Sequence, residues 1–159
     1  MEEEIIKELI KRKEKISCME SCTGGFLAST LTNVSGSSEV LEVSLVTYSN
    51  KYKEKFGVSH DIIQKYSVYS IETAREMAKN VSNFALSNWG IGITGQIGRY
   101  DPKNIVKDTN VVYYSIYNQA QEVYFDNIIK LDGELSRKEN KIKIVEEILN
   151  TFYKILKEG

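Results

Sequence analysis

Apolar positions recur along this chain with two periods, one near 3.6 residues and one near 2. From Glu2 to Lys13, Ile5, Ile6, Leu9 and Ile10 share one helical face while Glu and Lys fill the other. Lys15 to Ser29, KISCMESCTGGFLAS, reads as a short strand, a small-residue turn and the opening of a helix that carries Phe26, Leu27, Thr30 and Leu31. Ser35-Gly36-Ser37-Ser38 ends that helix. Val43 to Ser49, rich in β-branched and aromatic residues, predicts a strand whose end brings Thr47, Tyr48, Ser49 and Asn50 to one rim of a sheet. A short helical stretch spans Ser59 to Tyr66. Ser70 caps a longer helix reaching about Leu86, with Ala74, Met77, Ala78, Val81, Phe84 and Ala85 at helical spacing. Trp89 to Gly95 is a strand whose glycines admit a neighbouring backbone or a ligand. Gln96 to Asn110, with Gly98, Tyr100 and Pro102, has no period and is expected to be a loop over one sheet edge. Val111 to Tyr117 and Glu122 to Leu131 predict strands joined as an antiparallel hairpin. The capping box Ser136-Arg137-Lys138-Glu139 opens a last helix that turns Ile142, Val145, Ile148, Leu149, Phe152 and Leu156 inward.

This order predicts an α/β fold, a three-layer α/β/α sandwich with a mixed, mostly parallel sheet, as a single domain over residues 1–159. A length of 159 residues suits one core, and a formal net charge of −1 offers no broad attraction to nucleic acid. Neither a signal peptide nor a membrane span is visible at the N-terminus, so a cytoplasmic protein that does not enter membranes is expected. The two cysteines, Cys18 and Cys22, have neither redox nor zinc-knuckle spacing. A single histidine, His60, rules out a multi-histidine metal site and is expected simply to start the Ser59 to Tyr66 helix.

Chemistry concentrates at Glu20-Ser21-Cys22-Thr23-Gly24-Gly25. Small residues and paired glycines allow close backbone approach, and a helix that begins there aims N–H groups at an anion or a developing oxyanion. An ordinary turn capped by Ser and Thr would have the same local pattern. If Ser21 is a nucleophile it needs a base, and with the usual bases scarce lysine remains. Lys51, Lys53 and Lys55 all lie behind Asn50, and burial or crowding by like charge disfavours a lysine's charged form. One of the three would take the Ser21 proton, N–H groups around Thr23 and Gly24 would hold the oxyanion, and Tyr48 would relay or orient the proton. Neither GxGxxG nor GxxxxGK[ST] is present, which weakens dinucleotide and triphosphate readings.

ESCTGG at Glu20 to Gly25, TYSNKYK at Thr47 to Lys53 and GITG at Gly92 to Gly95 resemble the CinA C-terminal domain family. The resemblance spans nearly the whole chain. Family members of known activity are nicotinamide mononucleotide deamidases, serine/lysine amidohydrolases that release ammonia and leave nicotinic acid mononucleotide without metal or cofactor. The resemblance implies Ser21 as nucleophile, selects Lys53 among the three lysines, and places Tyr48 and Thr94 beside them. It further implies a substrate-binding set of Glu20, Cys22, Thr23, Gly24, Gly25, Thr47, Asn50, Thr94, Gly95 and, through a GDR-like turn near Gly133, Arg137 with Lys141. Larger relatives carry a domain resembling molybdopterin-binding proteins, and this chain looks like the stand-alone form. It departs from the family after Gly95, where Gln96-Ile97-Gly98-Arg99-Tyr100-Asp101-Pro102 replaces a glycine-rich loop. A non-hydrolysing nucleotide-binding relative and an interaction module linked to competence or DNA damage are the other two readings. A homo-oligomer is expected from the aromatic surface of Tyr113, Tyr114, Tyr117, Tyr124 and Phe125.

Overall fold

The computed structural model describes residues 1–98 and 109–159. Most of the expected loop, including Arg99, Tyr100, Asp101 and Pro102, lies outside the described residues. The elements are α1 (Glu2–Arg12), β1 (Ile16–Glu20), α2 (Phe26–Thr32), a 3-10 turn (Ser37–Glu39), β2 (Leu41–Val46), α3 (Asn50–Lys55), α4 (His60–Tyr66), α5 (Ile71–Ala85), β3 (Trp89–Gly95), β4 (Val111–Asn118), β5 (Val123–Lys130) and α6 (Arg137–Glu158).

The five strands lie in the order β2-β1-β3-β4-β5. β1 runs parallel to both β2 and β3, and β4 is antiparallel to β3 and β5, so β4 alone is reversed within an otherwise co-directional sheet. Period-2 alternation in β1 divides its side chains between two cores. Ile16 and Cys18 join Ile5, Ile6 and Leu9 of α1, Leu27 and Leu31 of α2, and the inward residues of α6. Met19 on the opposite face packs with Val58, Ile63, Val68, Met77 and Val81. These cores make the three layers expected from the pattern of elements.

Gly90 and Gly92 resolve the two uses foreseen for glycine in β3 in favour of backbone approach. A Cβ at Gly90 would lie 2.1 Å from the Ala78 carbonyl oxygen and one at Gly92 2.2 Å from that of Ala74, so α5 rests directly on the strand. The α6 capping box forms as read, Ser136 Oγ accepting from the Glu139 N–H at 3.1 Å and the Glu139 carboxylate accepting from the Ser136 N–H at 2.8 Å. The hairpin aromatics are largely used within the chain. Tyr114 is buried with its hydroxyl 2.9 Å from that of Thr151, and Tyr117 is buried against Tyr124 with ring centroids 4.9 Å apart. Of the five aromatics behind the homo-oligomer expectation, Tyr114 and Tyr117 are buried and Tyr113, Tyr124 and Phe125 are half-buried.

Candidate active site

Parallel strands β2, β1 and β3 end on the same side of the sheet, the side where open α/β folds place ligand sites. The Thr47 N–H donates to the Glu20 carbonyl at 2.9 Å, and extending the β1–β2 and β1–β3 pairing by a residue or two sets Ser21 between Thr47 and Thr94. The three sequence blocks are thus the neighbouring ends of three strands.

Beyond β1 the chain turns sharply through Gly24 (φ 61°) and Gly25 (φ 95°), conformations that residues with a Cβ rarely adopt. Ser and Thr were the caps expected here. Instead, α2 has no side-chain cap at Gly25, and the buried Glu20 carboxylate reaches across the turn to fill that role. Its Oε1 accepts from Thr23 Oγ1 at 2.6 Å and the Leu27 N–H at 3.0 Å, and Oε2 accepts from the Ala28 N–H at 3.0 Å. A carboxylate at a helix N-terminus satisfies both donors and dipole. Glu20 and the Thr23 hydroxyl therefore shape the turn.

Past β2, Ser49 Oγ accepts from the Tyr52 N–H and starts α3, a six-residue helix not anticipated from the lysine-rich sequence. Helical spacing separates the three lysines. Lys53 is 1% exposed, whereas Lys51 and Lys55 are exposed and sit over the Tyr52 ring, 5.6 and 5.1 Å from its centroid. Burial thus sets Lys53 apart from its two exposed neighbours. Lys53 Nζ donates to Ser21 Oγ at 3.0 Å and to the Thr47 and Tyr48 carbonyls at 2.7 and 3.4 Å. Ser21 is itself buried.

The other predicted residues distribute around this pair. Tyr48 is 62% exposed and supplies its carbonyl to Lys53, while its hydroxyl accepts from Arg137 Nη2 at 3.4 Å, so no proton relay through the phenol is formed among the described residues. Arg137 also donates to the Ile97 carbonyl, joining the start of α6 to the end of β3. Thr94 Oγ1 is buried and donates to the Val68 carbonyl at 2.8 Å. Thr47 Oγ1 is buried without a partner among the described residues. Asn50 opens α3, and Gly95 gives room to β4, a Cβ there lying 2.6 Å from the Val111 carbonyl oxygen. Cys22 belongs to the core, and burial pushes its thiol up to about 12, against the opposing influence of Lys53 and Arg137. His60 starts α4 as expected, exposed and turned to Glu54.

Beside the turn lies a cavity of about 520 Å³ lined by Thr23, Gly24, Gly25, Phe26, Ser29, Arg137, Lys138, Lys141 and Ile142. Lys138 had not been singled out from sequence, although its place in the first turn of α6, beside Arg137 and one turn from Lys141, was a usable signal. Three cations converge on a glycine turn in a chain of formal charge −1, so the site's local charge differs from the overall balance. Among the described residues no group of three or more His, Cys, Asp or Glu could hold a metal, and no helix is long and apolar enough to cross a membrane.

This arrangement agrees with similarity across the whole chain. The family described as CinA C-terminal domain matches residues 1–156. A CinA-like protein of Prochlorococcus marinus (strain MIT 9515) is 39% identical over 141 residues, 88% of this chain and 31% of that protein. The chain spans about a third of the length of the curated relatives it matches. A CinA-superfamily protein from Klebsiella pneumoniae 700603 superposes with a TM-score of 0.89 at 19% identity, covering 99% of this chain and 96% of that one. The competence/damage inducible protein CihA from Agrobacterium tumefaciens does so with a TM-score of 0.85 at 24% identity, covering 95% and 90%. From its match over residues 1–156, and with the ESCTGG turn and the YSNKYK lysine meeting in one site, the chain belongs to the CinA C-terminal domain family.

Proposed function

We propose that this protein is a serine/lysine amidohydrolase that deamidates nicotinamide mononucleotide to nicotinic acid mononucleotide and ammonia. The observation that carries the reading is the 3.0 Å hydrogen bond between buried Lys53 Nζ and buried Ser21 Oγ. As an unprotonated amine, Lys53 accepts the Ser21 proton while Oγ attacks the carboxamide carbon. Burial disfavours the ammonium form, which supports this role, although the Thr47 and Tyr48 carbonyls pull the other way and also hold Nζ in place. When the tetrahedral intermediate collapses, the C–N bond breaks and the lysine proton leaves with ammonia. Water, deprotonated by the same amine, then cleaves the Ser21 ester and releases the acid.

The Gly24 N–H is committed to the Ser21 carbonyl at 2.9 Å and those of Leu27 and Ala28 to Glu20. The N–H groups of Thr23 and Gly25, which have no acceptor among the described residues, are the turn's candidates for the developing oxyanion. Arg137, Lys138 and Lys141 supply charge for the nucleotide phosphate in the adjoining cavity. Incubating the purified protein with nicotinamide mononucleotide and measuring ammonia tests the reading, with free nicotinamide and glutamine as controls. Release from the nucleotide alone is expected. Tight binding without ammonia would instead favour a non-hydrolysing relative.

A further inference from the structure

Gln96 follows Gly95 at the end of β3 and, among the described residues, is the one whose side chain is sealed from solvent with both polar atoms unmatched. It is 5% exposed, and neither Oε1 nor Nε2 has a hydrogen-bond partner among the described residues. Such a group is destabilising in the free protein and calls for a partner that arrives with a ligand. Its backbone is fixed, since the Gln96 N–H donates to the Val111 carbonyl at 3.1 Å and carries the β3–β4 pairing one residue past Gly95. Strand alternation then directs Gln96 to the sheet face of Thr94, the face that β1 gives to Met19 and Ser21. With strands about 4.8 Å apart and a rise of about 3.3 Å per residue, its Cα lies about 8 Å from that of Ser21. The Gln96 carboxamide can therefore reach a group bonded to the carbon that Ser21 attacks.

We propose that Gln96 is a specificity-determining residue that reads the primary carboxamide of the substrate, an inference that rests on the amidohydrolase reading. Nε2 donates to the amide oxygen and Oε1 accepts from the amide N–H. Both bonds lie in the amide plane, leaving its faces open to Ser21 Oγ. Hydrolysis replaces the NH₂ group by oxygen and removes the donor, so the product acid sets a carboxylate oxygen against Oε1. The same side chain thus favours substrate over product.

The test titrates the Ser21→Ala protein calorimetrically with nicotinamide mononucleotide and with nicotinic acid mononucleotide. The amide is expected to bind about tenfold more tightly than the acid, the order of effect two neutral hydrogen bonds provide. Adding Gln96→Met should bring the ratio close to one by weakening the amide alone. Since this change removes two unmatched buried atoms, its melting temperature should not fall, and Gln96→Leu gives a second variant should methionine pack badly. An unchanged ratio, or equal loss for both nucleotides, overturns the assignment. Ammonia release by the unaltered protein reports separately. If ammonia is released and the ratio ignores Gln96, only this inference fails. If no ammonia is released, or Ser21→Ala binds neither nucleotide, the amidohydrolase reading fails and takes this one with it.

Discussion

Glu20 is the residue whose removal should most clearly separate the architecture of the site from its chemistry. Its buried carboxylate accepts three hydrogen bonds, from Thr23 Oγ1, the Leu27 N–H and the Ala28 N–H, at 2.6, 3.0 and 3.0 Å. In Glu20→Ala those donors lose their acceptor inside the protein, at about 1–3 kcal/mol each. The hydroxyl can turn elsewhere and the half-buried Ala28 can recruit water, so the low end applies to two of the three and a net loss of about 3–5 kcal/mol is expected. A domain of this size shifts by about 2–4 °C per kcal/mol, which places the melting temperature about 10 °C lower. Glu20→Gln keeps an acceptor but points an NH₂ group at a donor, and should lose about 2 kcal/mol. Thermal unfolding followed by circular dichroism measures both. Because α2 has seven residues and no side-chain cap of its own, the Gly24-Gly25 turn should loosen and activity should fall together with stability. A Glu20→Ala protein melting within about 2 °C of the unaltered one would refute this reasoning.

Lys53→Arg should lose activity nearly as fully as Lys53→Ala, because arginine keeps the charge but does not deprotonate near neutrality, whereas Lys51→Ala, on the exposed side of α3, should retain most of it. Steady-state ammonia release across neutral pH checks this, and an active Lys53→Arg enzyme contradicts the base assignment. Arg137→Gln and Lys141→Ala should each raise KM for the nucleotide about tenfold or more with a smaller change in kcat, since they line the cavity beside the turn and not the Ser21–Lys53 contact. Burial raises the thiols of both Cys18 and Cys22, the latter to about 12, so the folded chain holds these protons where the unfolded chain releases them. Their contribution to stability is complete below about pH 9 and lost as pH rises toward 12, by about 1 kcal/mol per thiol between pH 9 and pH 10. Denaturant titrations should show that slope roughly halved in Cys22→Ala, which should also keep most activity.

Where the apolar period was long, the fold was legible: α5, the hairpin strands and α6 all lie within a residue or so of their expected limits, and the α6 cap formed as read. α3 escaped because six residues carry too little periodicity, and its one signal, Ser49 as cap, was read as part of a strand end. ESCTGG and YSNKYK pointed to strand ends that the fold brings side by side, yet composition alone left three lysines equivalent until helical geometry buried Lys53 and exposed its neighbours. The capping role of Glu20 was not legible for a related reason. Nothing in its spacing reveals that a side chain on β1 reaches over the turn to helix N–H groups seven and eight residues later. Lys138 and the unmatched amide of Gln96 likewise depend on where α6 and the end of β3 come to rest.

The central claim is that Ser21 forms a covalent ester during turnover. Rapid acid quenching of the reaction with nicotinamide mononucleotide, followed by intact-mass and peptide mass spectrometry, observes it directly. The account predicts an acyl adduct on the peptide containing Ser21, absent in Ser21→Ala, in which ammonia release is also abolished while the melting temperature is retained. An adduct on Cys22, or ammonia release that persists in Ser21→Ala, would contradict it.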